Sequence, residues 1–318
     1  MTFNELISKY RTPIMGCAMI VIMLFHQPFI YDSYVDGVFH LFGYWGVEIF
    51  LFVSGFGIVY SLYRNDVRTY YRNRMRRLFM PCVIVGVCKF LLANVGFTEH
   101  THPNVILLVT NVYLWYICAI SVYYLLAPVL YRWMKVYPKL VFVIVCLFSY
   151  LCTYIPFNDS AYYLINHIGW VTARLPIFVF GMYVAMYPLK MKSGRVFLLS
   201  LLFLSLCVIL KLGSVMARFQ WEVPYLNLLL VFATPSMCIL ACIATHLFRK
   251  CKCDGVLEYI GKHSLELYLW HEFVYWNLYR NAMFECMNRY VLFLLAVGIS
   301  FLLAWVTSHL IKHSIRFR

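Results

Sequence analysis

The chain has 318 residues, 63% of them hydrophobic and only 13% charged, with a mean hydropathy of +0.76. Soluble domains carry roughly 25% charged residues, so this composition excludes a soluble globular protein and predicts an all-α, polytopic membrane bundle. The net charge of +14 does not point to nucleic acid, because the basic residues gather at the ends of apolar runs.

Spans need roughly 20 apolar residues each. Runs of that kind fall near 13–31, 38–62, 80–96, 105–131, 139–156, 168–188, 196–213, 223–247, 264–281 and 290–311, about ten in all. Apart from Lys89, Arg174, Lys211, Arg218, Arg280 and Arg289, every Lys and Arg falls on the side of the N-terminus. The opposite loops carry Asp32, Asp36, Glu99, Asp159, Glu222 and Glu285. The positive-inside rule then places both termini in the cytoplasm of a multi-pass inner (plasma) membrane protein. Lys9 and Arg11 lead into the first span without a small-residue cleavage site, which predicts a retained anchor. With short outer loops and no low-complexity tract, residues 1–318 read as one domain. Only Cys286 of the 12 cysteines sits in an outer loop, so the thiols read as small core residues rather than a disulfide framework.

In chain order, the first chemical feature is His26, following the apolar run that opens at Arg11-Thr12-Pro13. Pro13 suits a first helical turn, and His26 lies about 20 Å of helical rise beyond it. An imidazole there faces the bundle or a cavity, either as a base or as a hydrogen-bonded tie between helices. Helix two carries Gly46-Val47-Glu48 and Ser54-Gly55-Phe56. Glu48 needs protonation or a basic partner. A short outer connection makes helices one and two neighbours, which predicts His26 as that partner; Arg174 or a tyrosine is the alternative. The following loop, Tyr70-Tyr71-Arg72-Asn73-Arg74-Met75-Arg76-Arg77-Leu78-Phe79-Met80-Pro81, reads as an anchor for anionic lipid headgroups or as a phosphate site.

Leu114-Trp115-Tyr116 fits an interfacial aromatic belt. Arg174-Leu175-Pro176, followed by Gly181, places a cation where it snorkels outward or meets Glu48 or a substrate. His100 and His102, and likewise Cys251 and Cys253, lack further ligands at metal-site spacing, so no metal site is expected. Near the end, Gly261, Ser264, Tyr268, His271 and Tyr275 recur at intervals of three and four and line one helix face.

Together these blocks resemble the acyltransferase 3 family of integral membrane enzymes, in family order and over about residues 8–311. The resemblance implies transfer of an acyl group, most often acetyl, from cytoplasmic acyl-CoA to a hydroxyl of a cell-surface or lipid-linked glycan. It implies His26 as general base with Glu48 as its orienting partner. Arg74 and Arg77, with Arg72, would receive the donor's phosphates. Arg174, Trp115, Ser264, Tyr268 and His271 would shape the site. Family members often carry a basic residue at the position of Met15; Arg11, one turn earlier, is the stand-in. The esterase-like domain fused to some members is not expected. Membrane lipids are expected partners, nucleic acid is not, and a homo-oligomer is compatible with the sequence. Buried polar groups and kinked helices also fit a transporter or flippase of a glycan or lipid intermediate.

Overall fold

Thr2 and Glu5 close a capping box, with Thr2 N donating to Glu5 Oε2 at 2.9 Å, and so start helix α1 (Phe3–Phe25) ten residues before the expected span. Pro13 lacks an N–H and its ring crowds the carbonyl four residues back, and the helix kinks at Tyr10 (φ −105°, ψ 17°). Pro13 therefore stands near the start of the apolar segment after all, inside a longer helix. The computed structural model describes residues 1–29, 43, 45–99, 101–111, 113–152, 163–216, 224–252, 254–281, 284 and 286–316. Asp32, Asp36, His100, Asp159, Arg218, Glu222, Cys253 and Glu285 lie outside the described residues.

The remaining helices are α2 (Trp45–Arg64), α3 (Val67–Ala93), α4 (Val105–Thr110), α5 (Trp115–Val136), α6 (Pro138–Cys152) and α7 (Tyr163–Met186). They continue with α8 (Ser193–Met216), α9 (Pro224–Lys250), α10 (Asp254–Lys262), α11 (Ser264–Arg280) and α12 (Arg289–Arg316). Seven of the described helices are long and apolar enough to cross a membrane: α1, α2, α5, α7, α8, α9 and α12. The other three expected spans correspond to α6, at 15 residues, and to α3 and α11, which carry charged side chains along their length.

Three expectations change. The arginine block is not a loop: Asp66 caps α3 by accepting from Thr69 N at 3.3 Å, and the helix runs through all the arginines into the apolar stretch. The run 105–131 is broken at Asn111, which adopts a left-handed conformation (φ 53°) that asparagine tolerates. Gly261 belongs to α10 and Ser264 begins α11, so their stripe is split across two helices by a break at His263.

The interior is organised around α2, nearly all of whose residues are buried. Bare glycine backbone sets the closest approaches. Gly55 of α2 lies against the Phe178 carbonyl of α7, and Gly181 of α7 lies against the Phe52 carbonyl of α2. Gly16 of α1 and Gly261 of α10 make the same reciprocal contact with Leu257 and Thr12. A Cβ at any of these positions would collide with backbone, so small residues here let helices touch without an intervening side-chain layer. On the outside, Leu198, Leu202 and Ile209 of α8 and Leu294 of α12 form exposed apolar stripes, as a lipid-facing surface requires.

Candidate active site

The kink at Tyr10 delivers Arg11 to the interior, where its guanidinium lies on the bare backbone of Gly57. One turn of α3 separates Arg74 and Arg77, which therefore share a helix face. All three arginines line one cavity of about 170 Å³, together with Met15, Ser54, Tyr124 and Ser264. Tyr70 OH donates to Tyr124 O and Tyr71 OH to Leu125 O, each at 2.9 Å, fixing α3 against α5. The Arg74 guanidinium lies over the rings of Tyr70 and Tyr124, at 5.7 and 5.4 Å, where the ring faces attract it. Nε of Arg11 and Nε of Arg74 are buried without a hydrogen-bond partner. None of the three guanidinium groups meets a carboxylate among the described residues. Three cations around one cavity repel one another, and an anion within it would relieve that repulsion. Arg72, expected with them, is exposed and does not line the cavity, because two residues along a helix turn it to another face.

The far wall of the cavity is aromatic. Phe50, Tyr116 and Tyr268 line it, and the rings of Tyr116 and Tyr268 are 4.9 Å apart. Tyr268 also lies 5.6 Å, ring to ring, from His271, so the cavity abuts a histidine cluster. His26 caps the C-terminus of α1, and His271 sits mid-way along α11. His271 Nδ1 faces Leu267 O at 3.1 Å and Tyr268 O at 2.9 Å. Carbonyls only accept, so this nitrogen carries the proton and Nε2 carries the lone pair. That lone pair faces His26 Nδ1 at 3.2 Å, which also faces Ile22 O at 3.0 Å. Both partners are acceptors, so His26 Nδ1 is a donor. The remaining nitrogen, His26 Nε2, stands 3.0 Å from Glu272 Oε1. The ligand-type atoms of His26, His271 and Glu272 lie within 4.8 Å of one another, a spacing that suits a metal ion as well; the hydrogen bonds just described already account for each of them.

Glu48 is not the partner of His26. Its Oε1 accepts from Arg174 Nε at 3.0 Å, and both side chains are buried. Trp115 and Trp170 sandwich the guanidinium at 4.8 and 5.1 Å. The reason is packing: the glycine contacts between α2 and α7 bring Arg174 to Glu48, while the carboxylate beside His26 comes from α11. Trp115 and Arg174 thus belong to this second cluster, whereas Ser264 and Tyr268 line the cavity and His271 touches His26.

A family model described as an acyltransferase domain (Acyl_transf_3) matches residues 16–309. The chain belongs to that acyltransferase family. No curated protein and no solved structure matches it.

The arrangement thus joins a cationic cavity with an aromatic wall to a hydrogen-bonded histidine cluster in contact with that wall. Sequence reasoning missed Glu272, Tyr116 and Ser54. Glu272 carried a signal, since a carboxylate directly after His271 in an apolar helix needs a partner of its own.

Proposed function

We propose that this membrane acyltransferase moves a short acyl group, foremost acetyl, from cytoplasmic acyl-CoA to a hydroxyl of a cell-surface or lipid-linked glycan. The observation that supports this reading most is the continuity from the arginine cavity, past Tyr116 and Tyr268, to His271 and His26. Guanidinium groups bind phosphate oxygens in bidentate fashion and stay charged, which suits Arg11, Arg74 and Arg77 to the donor's nucleotide end. The thioester then extends along the aromatic wall towards His26, whose Nε2 removes the acceptor's hydroxyl proton as general base. The excess of Lys and Arg on the side of both termini supports a cytoplasmic orientation for them in the inner (plasma) membrane, with the arginine cavity opening to the cytoplasmic donor.

The test uses cells with and without the chain, and cells carrying His26→Ala at matched expression. O-acetyl groups on surface glycans are counted by mass spectrometry, and transfer from radiolabelled acetyl-CoA is followed in their membranes. Label is expected in glycan only with the wild-type chain. Equal O-acetyl content in all three strains overturns the reading, and a change in glycan export without any acetyl transfer would favour a transporter instead.

A further inference from the structure

We infer that Glu272 is the proton-holding partner of His26, so that the acceptor's proton is taken up by a His26–Glu272 pair rather than by a lone imidazole. This rests on the acyl-transfer reading above. With His271 Nδ1 committed to backbone carbonyls and His26 Nδ1 committed to Ile22 O and His271 Nε2, the exchangeable site on His26 is Nε2. Glu272 Oε1 lies 3.0 Å from that atom. Two lone pairs at that distance repel, so the pair in this arrangement holds one shared proton.

The placement is economical in sequence terms. Consecutive residues of α11 point about 100° apart, so His271 reaches Nδ1 of His26 while Glu272 reaches Nε2. One turn of one helix thereby fixes the ring from both sides. His271 is fully buried, whereas His26 and Glu272 are 23% and 21% exposed, so the shared-proton edge is the accessible part of the cluster. In a serine-protease triad the carboxylate sits on the nitrogen remote from the reacting hydroxyl. Here it sits on the reacting nitrogen itself, which makes it a proton acceptor as well as an orienting group. Among the described residues, neutral His271 on α11 and the Lys89 ammonium on α3 face the pair. The Lys89 ammonium lies 5.9 Å from the ring of Phe273, the residue after Glu272, and bonds to Asn111 Oδ1 and Tyr113 OH at 3.0 and 3.1 Å.

The pair first gives up its resting proton to solvent as the acceptor binds. The acceptor oxygen then attacks the thioester carbonyl carbon, forming the C–O bond, and its proton passes to His26 Nε2 and is held between Nε2 and Glu272. Collapse of the tetrahedral intermediate breaks the C–S bond, the leaving thiolate takes that proton to give free CoA thiol, and the pair recovers its resting proton from solvent. The products are an ester and a thiol, with no oxidant or reductant involved.

The experiment uses the full chain in its native membranes, which retain the endogenous acceptor, with radiolabelled acetyl-CoA as donor. Glu272→Gln, Glu272→Ala and His26→Ala are compared at matched expression and melting temperature. Glu272→Gln is expected to lower turnover about 10²-fold or more with the KM for acetyl-CoA unchanged. Added formate, a small carboxylate, is expected to restore part of the turnover of Glu272→Ala and none of that of His26→Ala. If Glu272→Gln turns over like wild type while His26→Ala is inactive, the inference fails and the acyl-transfer reading stands. Loss in both glutamate variants with a raised KM and no response to formate marks Glu272 as structural and also overturns it. If wild-type membranes transfer no acetyl at all, the underlying reading fails first.

Discussion

Arg174 Nε lies 3.0 Å from Oε1 of Glu48, and the two groups form an ion pair in the centre of the bundle, closed off by the indoles of Trp115 and Trp170. Paired charges at this depth are tolerated because their mutual attraction offsets much of what each lost on leaving water. The pair ties α2 to α7, the helices already locked by Gly55 and Gly181.

Removing one partner is therefore expected to be worse than removing both. Glu48→Gln or Arg174→Met leaves one buried charge uncompensated, at a cost of about 3–5 kcal/mol. The double substitution Glu48→Met/Arg174→Met should regain most of that loss. Thermal unfolding of the detergent-solubilised protein reads this directly. Additive losses in the double variant would show that the two residues do not act as a pair.

Arg11, Arg74 and Arg77 are expected to govern donor affinity. Each alanine substitution should raise the KM for acetyl-CoA roughly tenfold or more, from about 1.5–3 kcal/mol for a hydrogen bond to a charged group. Arg72→Ala should leave it near wild type, since that side chain lies outside the cavity. Acetyl-pantetheine, which lacks the nucleotide, is the control. If its KM rises as much as that of acetyl-CoA in the arginine variants, phosphate recognition is ruled out.

Much of this architecture was legible in the sequence, and the part that was not has a common physical cause. Apolar runs and basic flanks reveal helices because burial in lipid is a property of a segment by itself. So the membrane class, the arginine block and the isolated His26 could be read directly. Which helix neighbours which depends on close contacts at a few small residues. Gly55 and Gly181 lead α2 to α7, and this is why Glu48 met Arg174 instead of His26. Nor could the pattern of Gly261, Ser264 and Tyr268 show the break at His263, because periodicity continues across a short turn. Glu272 was passed over because it sits off that stripe, although its neighbour His271 was on it.

The α1–α10 contact should control the histidine geometry at a distance. Gly16 and Gly261 meet backbone across this interface, α1 ends at His26, and α10 leads into α11 with His271. Gly261→Leu has to push the helices apart, and with them the 3.2 Å contact between His26 Nδ1 and His271 Nε2. Turnover is expected to fall at least tenfold, the scale on which small misplacements act. The KM for acetyl-CoA, set by arginines on α1 and α3, should change less. Activity measured in matched membranes checks this, and wild-type turnover in Gly261→Leu would show that the two helix positions are not coupled.

Acyl-chain length should be set by the two rings between cavity and histidines. Tyr116 and Tyr268 stand 4.9 Å apart, with Phe50 at 6.0 Å from Tyr116, and Tyr268 adjoins His271. An acyl group drawn towards His26 must pass or rest against these rings, and each added methylene needs room that they occupy. Hydrophobic pockets discriminate single methylenes by about 1–3 kcal/mol. Tyr268→Ala is accordingly expected to raise the ratio of butyryl to acetyl transfer roughly tenfold or more. Tyr268→Phe, which keeps the ring and loses only the hydroxyl, should leave the ratio unchanged. Competition between acetyl-CoA and butyryl-CoA in the same membranes measures the ratio independently of total activity. If Tyr268→Ala and Tyr116→Ala both keep the wild-type preference, chain length is selected elsewhere and the aromatic wall serves only to pack α5 against α11.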